Sequence, residues 1–287
     1  MSEVMEQDLS GLPITVAPFG YAGCPPKFAG FPGDIAIEDM RYQHPTPFEN
    51  RGRLYRDASR NGCLIEVGAH IGTTTVFAAP FFVECHAFEP SSRNFSLLKH
   101  NLKLNGVMNV ACERCAFSNR PSQSELFLCQ DQKSACHSLN AAVAAKVVGK
   151  ESVDVRTLDA RFALNKNCTM LLVDAEGYDM KVLQGGKEFV SRQGQPPLIV
   201  IEFAPKFWAM CGSTAEELVG FVKQMGYRCF ADFGNNFSPV SPAALIELFA
   251  IWKDCCQAWL DLYLVERGAF QKIFPNRGGQ MTGWERP

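Results

Sequence analysis

The stretch LIEVGAHIGTTT, Leu64 to Thr75, is an apolar run that ends in an acid and then in two glycines four positions apart. A β-rich run followed at once by glycine is the pattern of a buried strand turning into a helix, and such a turn lets a ligand approach the backbone. What the turn lacks narrows the ligand. A phosphate-binding loop needs GxxxxGK followed by Ser or Thr, but Gly72 is followed by Thr73 and the turn holds no basic residue. A dinucleotide fingerprint needs GxGxxG, whose second glycine admits a pyrophosphate, and Gly68 to Gly72 reads only GxxxG.

Two acids carry the reading further. Glu66 closes the expected strand, where its carboxylate faces whatever lies over the turn, and it suits a cationic group better than a pyrophosphate. Glu89 follows a second expected strand, about 20 residues beyond Gly68, where an acid accepts hydrogen bonds from a ribose diol. A ribose-bearing ligand with an ammonium or sulfonium in place of a phosphate is S-adenosylmethionine. The turn makes room for the amino-acid end of that cofactor, and Gly68→Val is expected to abolish its binding while leaving the domain folded.

Outward from this turn, short β-rich runs alternate with segments of helical period, the signature of βαβ units around a largely parallel sheet. Seven strands are expected, at Cys63–Val67, Val83–Phe88, Val110–Ala116, Met170–Asp174, Leu198–Phe203, Tyr227–Asp232 and Asp261–Glu266. Phe95, Leu98 and Leu102 share one face of a helix spanning Ser91–Asn105. Ser213 to Glu216 reads as a capping box opening a helix that stops at Gly226. The connection between the third and fourth strands, about fifty residues, is long enough to be functional or to carry structure of its own. It contains two candidate short strands, Glu125–Leu128 and Ser152–Leu158, and a candidate rim, Ser134 to Leu139. Residues 1–50, rich in proline and glycine, read as an extension. Residues 51–270 form one α/β domain, and 271–287 a tail.

Composition removes other function classes. The chain has 287 residues, 47% of them hydrophobic, with 28 Lys plus Arg against 30 Asp plus Glu. With no basic block or stripe, no nucleic-acid partner is expected. No apolar run approaches the ~20 residues of a membrane span. The opening MSEVMEQDLS places acids where a signal peptide needs basic and apolar residues, so the expected location is the cytoplasm. Twelve cysteines without a secretory signal read as reduced thiols. The lone pair Cys112 and Cys115 lacks the further ligands of a structural zinc site, and no metal ligand set is assigned.

The segments VGAHIG (67–72), AFEPSSRNFSLLKHNLKLNG (87–106), CAFSN (115–119), VDVRTLDARF (153–162), LLVDAEGYDMKVLQGG (171–186) and LIVIEF (198–203) together resemble the FkbM-type methyltransferases, which are S-adenosylmethionine-dependent O-methyltransferases. The ordered set spans about 140 residues, and DxEG followed by VLxGG is its most specific element. Glu66 replaces the family's usual Asp, His70 its common Asn, and Ala175 and Asp179 depart within the DVEGxE-like element.

The resemblance implies a Rossmann-like class I sheet of seven strands, order 3-2-1-4-5-7-6, with helices on both faces and the last strand antiparallel. Ligands sit beyond the carboxyl ends of such strands, where the order switches. That gathers Glu66, Gly68, Ala69, Gly72, Glu89, Ala116 and Phe117 as cofactor positions. A hydroxyl on a sugar, a natural product or another small molecule is the implied acceptor. Asp174, at the tip of the fourth strand, is the first choice for general base. Glu202, His137 and His70 are the alternatives, and Glu176 has a supporting role. A divalent cation shared by Asp174 and Glu202 is a less favoured possibility. Two other functions stay open, a methyltransferase-fold binding protein without activity and a nicotinamide-dependent oxidoreductase. Oligomeric state is not readable.

Overall fold

In the computed structural model, residues 9, 11–17, 25–31, 37, 52, 54–59, 61–144, 146–164, 167–232, 237–255 and 258–268 are described. The strands are β1 (Ile14–Val16), β2 (Lys27–Ala29), β3 (Cys63–Val67), β4 (Glu84–Phe88), β5 (Val110–Glu113), β6 (Ala116–Phe117), β7 (Ser122–Leu128), β8 (Gly149–Arg156), β9 (Cys168–Val173), β10 (Leu198–Phe203), β11 (Tyr227–Asp232), β12 (Phe237–Pro239) and β13 (Leu260–Glu266). The α-helices are α1 (Thr73–Ala78), α2 (Ser92–Leu104), α3 (Leu158–Arg161), α4 (Asp179–Gln184), α5 (Lys187–Ser191), α6 (Pro205–Met210), α7 (Ala215–Gln224) and α8 (Pro242–Trp252). Residues 54–59 are also helical.

The main sheet runs β12-β11-β13-β10-β9-β3-β4-β5. Its strands from β5 to β10 are parallel, and β13 lies antiparallel to both β10 and β11. The expected count of seven falls one short among the described residues, because Phe237–Pro239 folds back beside β11 as an edge strand. Proline at that edge is tolerated because the strand has a neighbour on one side only.

Alternation decides which residues meet which helices. Ile65, Val67, Leu171, Val173, Ile199 and Ile201 share a core cluster with Met180, Val182 and Leu183 of α4, Phe189 of α5 and Leu218, Phe221 and Val222 of α7. Leu64, Met170, Leu198 and Tyr263 belong to a second cluster, with Leu54, Tyr55 and Ala58. Counting by twos from Leu64, Val200 and Tyr263 brings Glu66, Glu202 and Asp261 onto this second face.

Three local expectations shift. The third strand does not reach Ala116: β5 stops at Glu113, and Ala116 and Phe117 pair with Val155 and Arg156 of β8. With β7, these form a separate three-stranded sheet built by the long insertion. The capping box lies one residue later, on Thr214 and Glu217, because Thr214 carries the extended backbone of an N-cap. The Pro- and Gly-rich opening contributes a hairpin, β1 with β2. Asn101 of α2 pins it, its Oδ1 accepting from Ala29 N at 2.8 Å and its Nδ2 donating to Ala29 O at 3.1 Å and Ile71 O at 2.8 Å. The proposed boundaries at 50 and 270, and the tail 271–287, lie outside the described residues.

Candidate active site

The parallel strands end together, and a cavity of about 360 Å³ opens beyond their carboxyl ends. Its lining includes Glu66, Gly68, Ala69, His70, Glu89, Ala116, Phe117, His137, Asp174, Glu176 and Glu202. Gly72 is absent from that lining. It adopts a left-handed backbone (φ 87°), and a Cβ there would come within 2.7 Å of Leu98 Cδ1, so this glycine admits α2 rather than a ligand.

Gly68 lines the cavity, yet its need for glycine also comes from the protein. With φ 87°, a Cβ on it would lie 1.7 Å from the Asp174 carbonyl oxygen. The turn is pressed against the tip of β9, where Asp174 N donates to Val67 O at 3.0 Å. A valine at 68 therefore pries two central strands apart, which corrects the expectation that such a variant stays folded.

On this side the carboxylates are held by protein donors. Glu89 is 5% exposed, and its Oε2 accepts from His70 N at 2.9 Å while Oε1 accepts from Ser91 N at 3.0 Å. Burial pushes its carboxyl up to about 7, against the pull of those two amides. Glu66 accepts from Thr75 Oγ1. Burial raises it to about 8, with Glu89 adding repulsion and the Thr75 bond opposing the rise. A cation brought beside these two groups would favour their ionised forms.

The opposite side is built by the turn after β9. Asp179, fully buried, accepts from Ala175 N at 2.7 Å through Oδ1 and from Gly177 N at 3.1 Å through Oδ2. Those bonds hold a turn in which Glu176 and Gly177 both take positive φ, 47° and 93°. His70 has φ 50° in the facing turn. Two non-glycine residues in that sparsely populated region both lie on the cavity wall. Because Asp179 secures the turn, Asp174 is left for other work, and among the described residues its side chain has no hydrogen bond. The Asp174 side chain is exposed to solvent in the cavity, which screens the influences that raise its carboxyl. Partial loss of bulk water and the carboxylates of Asp179, Asp261, Glu66 and Glu89 push it up to about 8. Glu202 is raised by burial first, then by Asp174, Glu176, Asp179 and Asp261.

The histidines fare differently. His137 lines the cavity, but its Nδ1 accepts from Cys129 N at 3.0 Å, which leaves the proton on Nε2 and no free site to take another. Burial lowers His70 to about 4, and its Nε2 pairs with Ser134 Oγ at 2.7 Å. Ser134 O in turn accepts from Asn94 Nδ2 at 3.0 Å, and Ser138 Oγ donates to Glu176 O at 2.9 Å. The rim segment 134–139 is thus bonded to both sides of the crevice.

Sequence reasoning missed Asp261, Trp259 and Tyr263, all in the lining. The signal was present: in an antiparallel last strand the beginning, not the end, lies at the carboxyl ends of its neighbours, so WLDLYLVERG enters the site with its first residues. Leu54 and Tyr55 also line the cavity, from a segment that gave no signal. Among the described residues, no group of three or more His, Cys, Asp or Glu is arranged to hold a metal ion. No helix among them is long and apolar enough to cross a membrane.

Residues 66–229 match the Methyltransferase FkbM domain. The chain belongs to the FkbM methyltransferase family. The matched segment begins at Glu66 and ends within β11, so among the described lining residues it holds every acid of the crevice except Asp261. Among solved structures, the FkbM methyltransferase of Methylobacillus flagellatus KT is similar at 14% identity and TM-score 0.44, over 79% of this chain and 52% of that one. This chain thus spans about half the length of that relative. The precorrin-6y C5,15-methyltransferase of Geobacter metallireducens GS-15 is similar at 12% identity and TM-score 0.42, over 83% and 94% of the two chains. TYW2 of M. jannaschii, in complex with AdoMet, is similar at 14% identity and TM-score 0.40, over 88% and 86%. None of the curated proteins matches this chain.

Proposed function

We propose that this FkbM-family protein transfers a methyl group from S-adenosylmethionine to a hydroxyl of a sugar or another small molecule, with Asp174 as general base. One observation carries the reading: a crevice lined among the described residues by acids and by no Lys or Arg opens over a glycine turn at the carboxyl ends of the parallel strands. The residues fit the cofactor by chemistry. Glu89 would accept from the ribose hydroxyls, Glu66 and the turn around Gly68 would face the cationic amino-acid end, and Ala116 and Phe117 would flank the base.

The cofactor supplies a methyl carbon already activated by the sulfonium. Holding acceptor oxygen, methyl carbon and sulfur in line accounts for roughly 7–11 kcal/mol in well-oriented reactions. A neutral hydroxyl remains a poor nucleophile, so a base worth on the order of 10²–10⁴-fold is required. Asp174 takes the hydroxyl proton as oxygen bonds to carbon, and the electron pair of the broken carbon–sulfur bond stays on sulfur. A carboxyl whose affinity for a proton is raised by its surroundings is a stronger base than an ordinary one, and an approaching cation favours its ionised form.

Calorimetry with the cofactor and its demethylated product tests the first half. Transfer of labelled methyl to a panel of hydroxyl compounds tests the second. Absence of cofactor binding by the full chain would sink the reading.

A further inference from the structure

The rim of the crevice carries a pair of cysteines that methyl transfer does not use. Phe127 and Ser138 face each other across an antiparallel bridge, Phe127 N donating to Ser138 O at 2.9 Å and Ser138 N to Phe127 O at 3.3 Å. Counting two residues onward on one side and two back on the other sets Cys129 opposite Cys136. The backbone ladder does not continue there, because Cys136 closes the 3₁₀ turn Asp131–Cys136. The side chain bridges the gap instead: Cys129 Sγ donates to Cys136 O at 2.9 Å. A carbonyl oxygen sits about 2.4 Å from its own Cα, so the Cys129 sulfur comes within about 5.3 Å of the Cys136 Cα. That is short enough for side-chain rotation to bring the two sulfurs together.

Both residues are thiols here, and they differ in access: Cys129 is 3% exposed, whereas Cys136 is half-buried. The segment they bracket is cavity wall. Ser134 and Ala135 line it, and Ser134 is tied to His70 through Oγ and to Asn94 through its carbonyl. Burial pushes the thiols of Cys85 and Cys115 up to about 12 and that of Cys112 to about 11, so these three stay protonated and are poor competitors for an oxidant.

We propose that Cys129 and Cys136 form a reversible disulfide that fastens the base of the rim and slows the passage of ligands through it. The oxidant is a small-molecule disulfide such as glutathione disulfide. The Cys136 thiolate, the more open of the two, attacks one of its sulfurs and releases one glutathione thiolate. The Cys129 thiolate then attacks the Cys136 sulfur and releases the second, so two cysteines are oxidised, one glutathione disulfide is reduced, and the two thiol protons end on the released glutathione. The slowing of ligands rests on the reading of this crevice as the cofactor site, whereas the bond itself does not.

The test equilibrates the full chain with glutathione disulfide or with reduced glutathione, alkylates it, and digests it with trypsin without reduction. Cleavage after Lys133 separates the two cysteines, so the expected product is a peptide ending at Lys133 joined to one beginning at Ser134, lost on reduction. Cys129→Ser, which keeps a donor to Cys136 O, and Cys136→Ser should each abolish it. Dissociation of the demethylated cofactor, followed by stopped flow, should slow by on the order of threefold or more in the oxidised chain and not in oxidised Cys129→Ser. Absence of the linked peptides, glutathione left on either cysteine in their place, or linked peptides with unchanged dissociation overturns the proposal. Failure of the reduced chain to bind the demethylated cofactor sinks the methyltransferase reading and the gating role together, whereas missing linked peptides with cofactor binding intact sinks the disulfide alone, so the two failures are distinguishable.

Discussion

Glu89 and Glu202 are both acids at strand tips in one cavity, and they are treated in opposite ways. Glu89 has each oxygen accepting from a backbone amide, whereas Glu202 has a buried oxygen with no partner among the described residues. A carboxylate whose donors belong to the fold is finished before any ligand arrives. One left without donors is finished only by what binds. The glycine-turn side of the crevice is therefore held by the fold's own donors, whereas Glu202 on β10 is not.

The harshest way to break this contrast is Gly68→Val, which attacks the contact joining the two sides. With the Asp174 carbonyl 1.7 Å from the position of the new Cβ, the expected outcome is loss of the cooperative thermal transition, read by circular dichroism. A variant that melts normally and fails only to bind cofactor would return the glycine to its purely ligand-facing role.

Next in size is Asp174→Asn. Asn keeps the shape but cannot take a proton, so turnover should fall on the order of 10²-fold or more while cofactor affinity stays within a few-fold. A loss concentrated in cofactor affinity would move Asp174 to the other side of the comparison. His137→Gln, by contrast, should cost less than about tenfold in turnover, because that ring nitrogen is engaged by Cys129.

Glu89→Gln probes the finished side. Its amide must turn one donor toward an amide N–H, so affinity should drop by the equivalent of about 1.5–3 kcal/mol, equally for cofactor and demethylated product, which share a ribose. Calorimetry with both ligands reads this directly, and unequal losses would separate Glu89 from the ribose.

The gentlest test is pH. Glu66, Glu89 and Asp174 rise from 4.5, 4.5 and 3.8 to about 8, 7 and 8. The folded state therefore binds more protons than the unfolded chain, and stability declines as pH rises toward those values. His70 works the other way, falling from 6.5 to about 4, so it withdraws stability only as pH drops below 6.5. Between pH 6.5 and 8 the carboxylates act alone. The melting temperature of the ligand-free protein should fall across that window, and the stabilisation given by cofactor should grow. A flat profile would mean these acids are already compensated.

What the sequence made legible follows the same division. Glu66, Gly68 and Glu89 were readable because strand, turn and acid are neighbours in the chain and their spacing is set by local geometry. Asp174 was readable as the residue after an apolar run. Asp261 and Trp259 were not, since they join the site only through the reversed direction of β13, a consequence of long-range pairing. For Gly72 the sequence missed a packing reason: the atom that forbids a side chain there belongs to Leu98, on a helix whose docking no local pattern reports. The capping box slipped by one residue because Ser213 and Thr214 are equally good caps by type.

The reversed last strand also separates two jobs that the parallel strands combine. β3, β4, β9 and β10 each end at the crevice and lead into a turn and a helix, so altering such a tip disturbs the packing of the next layer. β13 enters from the opposite direction, so it brings Trp259 just before its ladder begins at Leu260 and Asp261 as the second residue of that ladder. Exchanging that entry segment between family members offers a route to new acceptors that leaves the cofactor's half of the protein untouched.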